Sequence, residues 1–190
     1  MAYTGNRGMS LEALIEFANN SYRLHGLGLI SKQHTHFVPI RNHKGQIVNC
    51  KVDEKATVDF VGRIGSRPVA AEAKLTKQKR IRYQEVKHHQ ALFLDDFTKD
   101  EAAIGLVVIS YNLDSFYAIP WPFWKAASDA WEKAIRYGEK KAEKVTVTFN
   151  GQSWTTNGMA SVKEEELLPE WKVTIGGKIG LDYLARYITK

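Results

Sequence analysis

Cysteine occurs once in the 190 residues, at Cys50, so no intrachain disulfide can staple this fold and an oxidising compartment is not called for. The lone thiol is expected to be buried or inert rather than catalytic. No stretch approaches the ~20 consecutive apolar residues that cross a bilayer. Glu12 and Glu16 stand where a secretory leader would be apolar. These absences point away from membrane and secreted classes, and the expectation is a cytoplasmic protein with no membrane partner. Internal repeats and low-complexity segments are also lacking, which excludes solenoids and fibrous folds. His34 and His36 have H-x-H spacing, but no cysteine or third histidine falls at ligand distance, so zinc is not expected.

What the chain does have is core-forming material and an uneven charge. At 44% hydrophobic and 11% aromatic content, it can bury a full core, and its length suggests one domain spanning residues 1–190. The net charge is +6. Eight basic residues (Arg63, Arg67, Lys74, Lys77, Lys79, Arg80, Arg82, Lys87) against two acids (Glu72, Glu85) fall between positions 63 and 88. The rest of the chain is balanced, so the whole surplus sits in one segment. Such a patch suits a polyanionic phosphate substrate, and an ordinary solvated charge run is its bland alternative.

The segment from Thr57 to Gln90 reads as two short strands, a basic loop and a helix. Alternation in a strand Thr57–Val61 places Thr57 and Asp59 on one face, with Val58 and Phe60 on the other. Gly62 and Gly65 supply a turn. A second strand, Val69–Lys74, sets Glu72 and Lys74 together, opposite Ala71 and Ala73. If the hairpin closes with matched polar faces, two carboxylates and an ammonium meet. Hard oxygen ligands of this kind hold a divalent cation such as Mg²⁺ beside a scissile phosphate, and a lysine there faces developing negative charge. The bare [DE]-x-K pattern is weak, however, because it recurs at residues 53–55, 85–87, 139–141 and 170–172. A solvated hairpin edge therefore stays open beside the catalytic reading. In the following helix Val86, Gln90, Phe93 and Phe97 share a stripe, which turns Gln90 inward.

Asn6-Arg7-Gly8-Met9 with Leu11-Glu12, Thr57-Val58-Asp59, Glu72-Ala73-Lys74 with Thr76-Lys77, and His89-Gln90 together resemble the RecU family of Holliday junction resolvases. The likeness covers about residues 5–124 and resumes near 161–188. It implies a nuclease of the PD-(D/E)xK superfamily, with a restriction-endonuclease-like mixed β-sheet flanked by helices and a projecting stalk hairpin at about 32–56. It also implies a homodimer that resolves four-way junction DNA by paired symmetric nicks with Mg²⁺, Mn²⁺ serving as a substitute. By the same resemblance Thr57, Asp59, Glu72 and Gln90 match metal-site positions, and Asp59, Glu72 and Lys74 match catalytic ones. Phosphate contacts are expected from Arg7, Arg41, Lys77, Lys79, Arg80 and Arg82. Glu12 is either an extra acid near the metal or a solvent-facing helix glutamate. The chain departs from the family at His34-Thr35-His36, where prolines are common. A same-fold nuclease acting on duplex or DNA ends, and a basic DNA-binding protein with a vestigial site, are the rival readings.

Elsewhere, Ser10 caps a helix whose apolar face is Leu11, Leu14, Ile15, Ala18 and Tyr22. The run Ile104–Ser110 reads as a central strand covered on both faces. Residues 125–160 read as an insertion, with a helix over 125–144 and a hairpin turning at Asn150-Gly151. Trp121, Phe123 and Trp124 are expected in the core or an interface. Ser161 with Glu164 suggests a capping box for a short helix.

Overall fold

Ser10 opens the first helix by accepting a hydrogen bond from Ala13 N at 3.2 Å, which satisfies one of the free N–H groups of the first turn. The computed structural model describes residues 10–54 and 56–188. In it α1 (Leu11–Leu24) buries Leu11, Leu14, Ile15, Ala18 and Tyr22, the five positions of the apolar stripe. Gly26 at φ +68° ends the helix. The chain then runs through β1 (Gly28–Lys32), β2 (His36–Arg41), β3 (Ile47–Glu54), β4 (Phe60–Ile64), β5 (Arg67–Thr76) and β6 (Arg80–Arg82). There follow α2 (His88–Phe97), β7 (Ile104–Tyr111), β8 (Ser115–Pro120), α3 (Trp121–Arg136), β9 (Thr146–Phe149), β10 (Gln152–Thr155), β11 (Ser161–Lys163) and β12 (Lys172–Val173).

Six of these strands make one mixed sheet in the order β1-β4-β5-β7-β8-β12, with β5 and β7 parallel and the other pairs antiparallel. Every residue of β7 is buried, as a continuous apolar run at the centre of a two-sided sheet requires. One face packs against α1 through Phe60, Val69, Ala71, Leu106 and Val108, together with Leu181 and Tyr183 from the end of the chain. The other packs against α2, α3 and β6 through Ala70, Val107, Ile109, Leu94, Trp124 and Ile81. This layered α/β architecture is the mixed sheet flanked by helices that the sequence suggests. The β2–β3 hairpin stands apart as its own two-stranded sheet, and its Ile40, Ile47 and Val48 are exposed.

Several boundaries differ from expectation for identifiable reasons. Residues 57–59 are a bend rather than a strand, and Val58 and Phe60 enter the clusters on opposite faces of the sheet instead of sharing one. Gly62 lies within β4 rather than in the turn, which Gly65 supplies at φ +56°. The run Leu75–Arg82 is not all solvated: β5 continues to Thr76, and β6 buries Ile81 while pairing with β11. Val86 precedes the helix instead of belonging to it. The helix placed at 125–144 begins at Trp121, because Pro120 and Pro122 fall at its cap and first turn, where no N–H is needed. It stops at Arg136, where Glu139 N bonds Ala134 O, Gly138 N bonds Ile135 O and Gly138 takes φ +71°. Ser161 is a β11 residue, not a helix cap; the capping contact sits two residues on, from Lys163 N to Glu166 Oε2 at 2.7 Å. Cys50 is exposed on β3, the reverse of a buried thiol. Asn150 and Gly151 both take positive φ and turn the β9–β10 hairpin, as Asn-Gly predicts.

Gly62 is where β4 and β1 come closest. A Cβ there would lie 2.1 Å from Leu29 O and 2.5 Å from Ile30 Cα, backbone atoms that cannot swing aside. Gly62→Ala should therefore cost about 3 kcal/mol or more, lowering the melting temperature by roughly 6–12 °C, and differential scanning calorimetry checks it. Gly105→Ala, whose Cβ would meet only the Thr98 side chain at such close range, should cost less.

Candidate active site

The antiparallel register of β4 on β5 pairs Phe60 with Ala71, so the residue before β4, Asp59, arrives opposite Glu72. Two hydrogen bonds hold them there. Asp59 N donates to Glu72 Oε2 at 3.2 Å, and Ala73 N donates to Asp59 Oδ2 at 2.8 Å. Each acid is thus fixed by the backbone at or beside the other. Alternation along β5 sends Ala71 and Ala73 to the α1 face and Ala70 to the α2 face, so Glu72 and Lys74 project toward α2.

There Gln90, the third residue of α2, completes the cluster. Its Nε2 donates to Glu72 Oε1 at 2.7 Å, and its Oε1 accepts from Lys87 N at 2.8 Å and from Lys74 Nζ at 3.4 Å. The amide therefore caps the helix with its oxygen while orienting the carboxylate with its nitrogen. Lys74 Nζ also lies 2.5 Å from Glu72 Oε1. Glu72 itself is 1% exposed. Burial is the main cause that lifts its pKa to about 7, the negative charge of Asp59 adds to the rise, and Lys74 opposes it. Asp59 is only partly buried and keeps Oδ1 free of hydrogen bonds among the described residues.

The residues singled out from sequence divide accordingly. Asp59, Glu72, Lys74 and Gln90 come together. Thr57 is exposed in the bend before Asp59 and makes no hydrogen bond to them among the described residues, and residues 57–59 do not form the strand whose face Thr57 and Asp59 were expected to share. Glu12 pairs with Lys32 at 2.7 Å, and Glu16 pairs with the same ammonium at 2.9 Å. Among the described residues Glu12 shares no hydrogen bond with Asp59 or Glu72. Arg41 donates to Gly45 O at 2.8 Å and so closes the β2–β3 turn. Lys77, Lys79 and Arg82 are exposed and Arg80 is half-buried, clustered where β5 turns into β6 beside Lys74. Arg7 lies outside the described residues. The sequence reading missed the Ala73 N–H and the Gln33 N–H that donates to Asp59 O at 2.7 Å; being backbone groups, they leave no trace in residue type.

No cluster of three or more His, Cys, Asp or Glu side chains forms among the described residues. Any cation here would therefore rely on the two carboxylates and on neutral oxygens. The pair fits one: burial and the neighbouring Asp59 charge hold the Glu72 carboxyl well above its usual range, and the single ammonium beside it compensates only in part.

The whole arrangement lies inside a family match. The family model described as RecU, Recombination protein U, matches residues 6–185. The chain belongs to the RecU family. A relative from Staphylococcus saprophyticus is 27% identical over 153 residues, covering 77% of this chain and 72% of the relative. One from Streptococcus oralis is 34% identical over 121 residues, covering 60% and 61%. Both carry the name Holliday junction resolvase RecU. The solved structure of Hjc, a Holliday junction resolvase of Archaeoglobus fulgidus, is similar over 57% of this chain and 77% of its own at 13% identity and a TM-score of 0.36, too distant to add to the argument.

The raised pKa of Glu72 fixes the sign of a pH effect. In the folded protein its proton is held up to about pH 7, whereas in the unfolded chain it is lost near pH 4.5. Stability from this group is therefore fully present below pH 4.5 and is lost as pH rises through 7, by about 3 kcal/mol. Urea unfolding in EDTA at pH 5 and pH 8 should show this loss in the native protein, and Glu72→Gln should remove most of it.

Proposed function

We propose that this member of the RecU family is a divalent-metal-dependent endonuclease that resolves four-way DNA junctions as a homodimer, with Mg²⁺ as its natural ion. The observation that carries the reading is the Asp59–Glu72 pair, Glu72 buried and Asp59 partly so, with Lys74 against it and the chain's only strongly basic segment around it in sequence. The names of the relatives supply the substrate: what they are said to resolve is what this geometry would serve.

Asp59 and Glu72, with Thr57 and Gln90 nearby in sequence or space, are the residues that would hold the ion. When bound, a divalent cation supplies a water of lowered pKa and Lewis-acid polarisation of the phosphate. The protein's own contribution is placement. Ala73 N–H and Asp59 N–H aim the two carboxylates, and Gln90 keeps Glu72 turned toward α2. Lys74, tethered to Glu72 and Gln90, holds a fixed positive charge where a phosphate oxyanion gains charge, which costs no reorganisation during the reaction. Lys77, Lys79, Arg80 and Arg82 extend that positive surface along the path of a DNA backbone. Paired nicks in opposed strands need two such sites related by a two-fold axis, hence the dimer.

The decisive assay is cleavage of labelled four-way junction, duplex and single-stranded DNA with and without Mg²⁺. Asp59→Asn and Lys74→Ala should each cut junctions at least ~10²-fold more slowly than the native protein, with gel-shift affinity largely kept. Full cleavage by either variant defeats the assignment. Cutting of plain duplex as fast as junctions would favour an ordinary nuclease.

A second expectation separates binding from chemistry. The triple variant Lys77→Ala, Lys79→Ala, Arg80→Ala should flatten the slope of log affinity against log salt by about 0.9 for each phosphate that is no longer neutralised. Replacing residues 37–51 of the β2–β3 hairpin by a short Gly/Ser turn should spare metal binding and lower the preference for junction over duplex, measured by competition. Unchanged preference in a folded dimer would show that the hairpin is not the selectivity element.

A further inference from the structure

Alternation along β5 continues past Lys74 to Thr76, the last residue of the strand, which shares the face of Glu72 and Lys74. Its hydroxyl does not reach back to the acids. Thr76 Oγ1 donates to Arg80 O at 3.3 Å and accepts from Gln78 N at 3.1 Å. Both bonds span the turn made of Lys77, Gln78 and Lys79, three exposed residues. Because β5 and β6 lie in different sheets, no ladder of backbone hydrogen bonds joins the two arms of this turn. Among the described residues the Thr76 hydroxyl is what closes it.

The two ends of the turn are fixed independently. On the β5 side Thr76 O accepts from Asn112 N at 2.7 Å, within the β7–β8 turn where Asn112 and Leu113 take φ of 57° and 61°. A leucine seldom adopts that left-handed conformation, so the surrounding sheet holds this contact in place. On the β6 side Arg80 is paired with Lys163 of β11. Three residues bridge the two anchors, and one hydroxyl sets their shape in the manner of a threonine turn.

The turn also continues the line of the chemistry. A two-residue step along a strand is about 6.7 Å, close to the spacing of successive phosphates on one DNA strand. With a scissile phosphate at Lys74, the next phosphate along falls at the turn that carries Lys77 and Lys79. We propose that Thr76 is a positioning residue, whose hydroxyl fixes this turn so that Lys77 and Lys79 hold the phosphate adjacent to the scissile one. The inference rests on the nuclease reading of Asp59, Glu72 and Lys74 and adds to it a subsite for a single phosphate. Lysines are flexible point charges, so where they act depends on the backbone that carries them. Without the hydroxyl the turn has to be ordered at the moment of binding, and affinity falls accordingly.

The test joins an isosteric substitution to substrates that lack one charge. Thr76→Val removes the hydroxyl and keeps a β-branched side chain at the end of the strand. On labelled four-way junction with Mg²⁺ it should raise KM about 10-fold and leave kcat within about 2-fold of the native value, because the lost contact is made before and during the reaction alike. Gel-shift affinity in EDTA should fall by a similar factor. Thr76→Ser, which retains the hydroxyl, should restore both. A set of junctions, each with one neutral methylphosphonate in place of a phosphate near the branch point, then locates the contact. One position, next to the cut, should cost the native protein about 10-fold in affinity and cost Thr76→Val less than about 2-fold, the non-additivity of two changes that remove one interaction. The pair Lys77→Ala, Lys79→Ala should silence the same position.

An unchanged KM and affinity in Thr76→Val, failure of Thr76→Ser to restore them, or additive losses at every methylphosphonate position would each overturn the assignment. A lowered melting temperature with KM and affinity unchanged would mark Thr76 as a stabilising residue only and overturn it as well. If the native chain shows the methylphosphonate pattern yet cuts no DNA, the phosphate contact stands and the nuclease reading falls.

Discussion

Asp59 and Glu72 are held to each other through backbone, Asp59 N–H to the Glu72 carboxylate and Ala73 N–H to the Asp59 carboxylate. Such bonds exist only in one register of β4 on β5, since a one-residue slip would turn Glu72 to the α1 face and into a cluster of leucine, valine and phenylalanine. The remainder of the sheet maintains that register. Gly62 lets β1 lie against β4, and β7, buried along its whole length, fixes β5 from the other side. The site is therefore a property of the sheet core rather than of a loop placed upon it, and it inherits the core's rigidity.

A buried carboxylate whose pKa sits near 7 is a standing cost to the fold, and a leucine or glutamine would remove it. The neighbours reduce that cost without abolishing it: Gln90 and Lys74 engage Glu72 Oε1, while among the described residues Oε2 has only the longer bond from Asp59 N. Asp59 keeps one oxygen open among the described residues. An arrangement tuned only for stability would close both acids. One that leaves cation-seeking oxygens at a partly exposed mouth beside a fixed ammonium is poised for chemistry on a phosphate.

Where side-chain periodicity decides burial, the sequence is legible. The α1 stripe, the all-apolar β7 and the Glu72–Lys74 alternation on β5 follow from residue type and spacing alone. The inward turn of Gln90 was visible in the same way, although Val86, counted in that stripe, precedes the helix. The approach to β4 was not legible, because Thr57-Val58-Asp59 has the composition of a strand but lacks a partner strand until Phe60, so it bends. Nor was β6, whose basic residues suggest solvent; pairing with β11, far off in sequence, buries Ile81. Glu12 could not be decided from sequence, since its partner Lys32 is brought near only by the packing of α1 on β1. Each failure traces to a contact distant along the chain overriding a local signal.

The position of the acid pair within the sheet has its own consequence. Only β1 separates Asp59 from the open edge, whereas β7 and β8 lie between Glu72 and the edge that β12 closes. The closed side is also where α3 and the β9–β10 hairpin pack, through the contacts of Phe123, Phe149, Trp154 and Trp171. The basic turn between β5 and β6 and the start of the β2–β3 hairpin both leave the sheet near the acids. An extended polyanion meeting this protein would reach positive charge, the acid pair and the projecting hairpin close together.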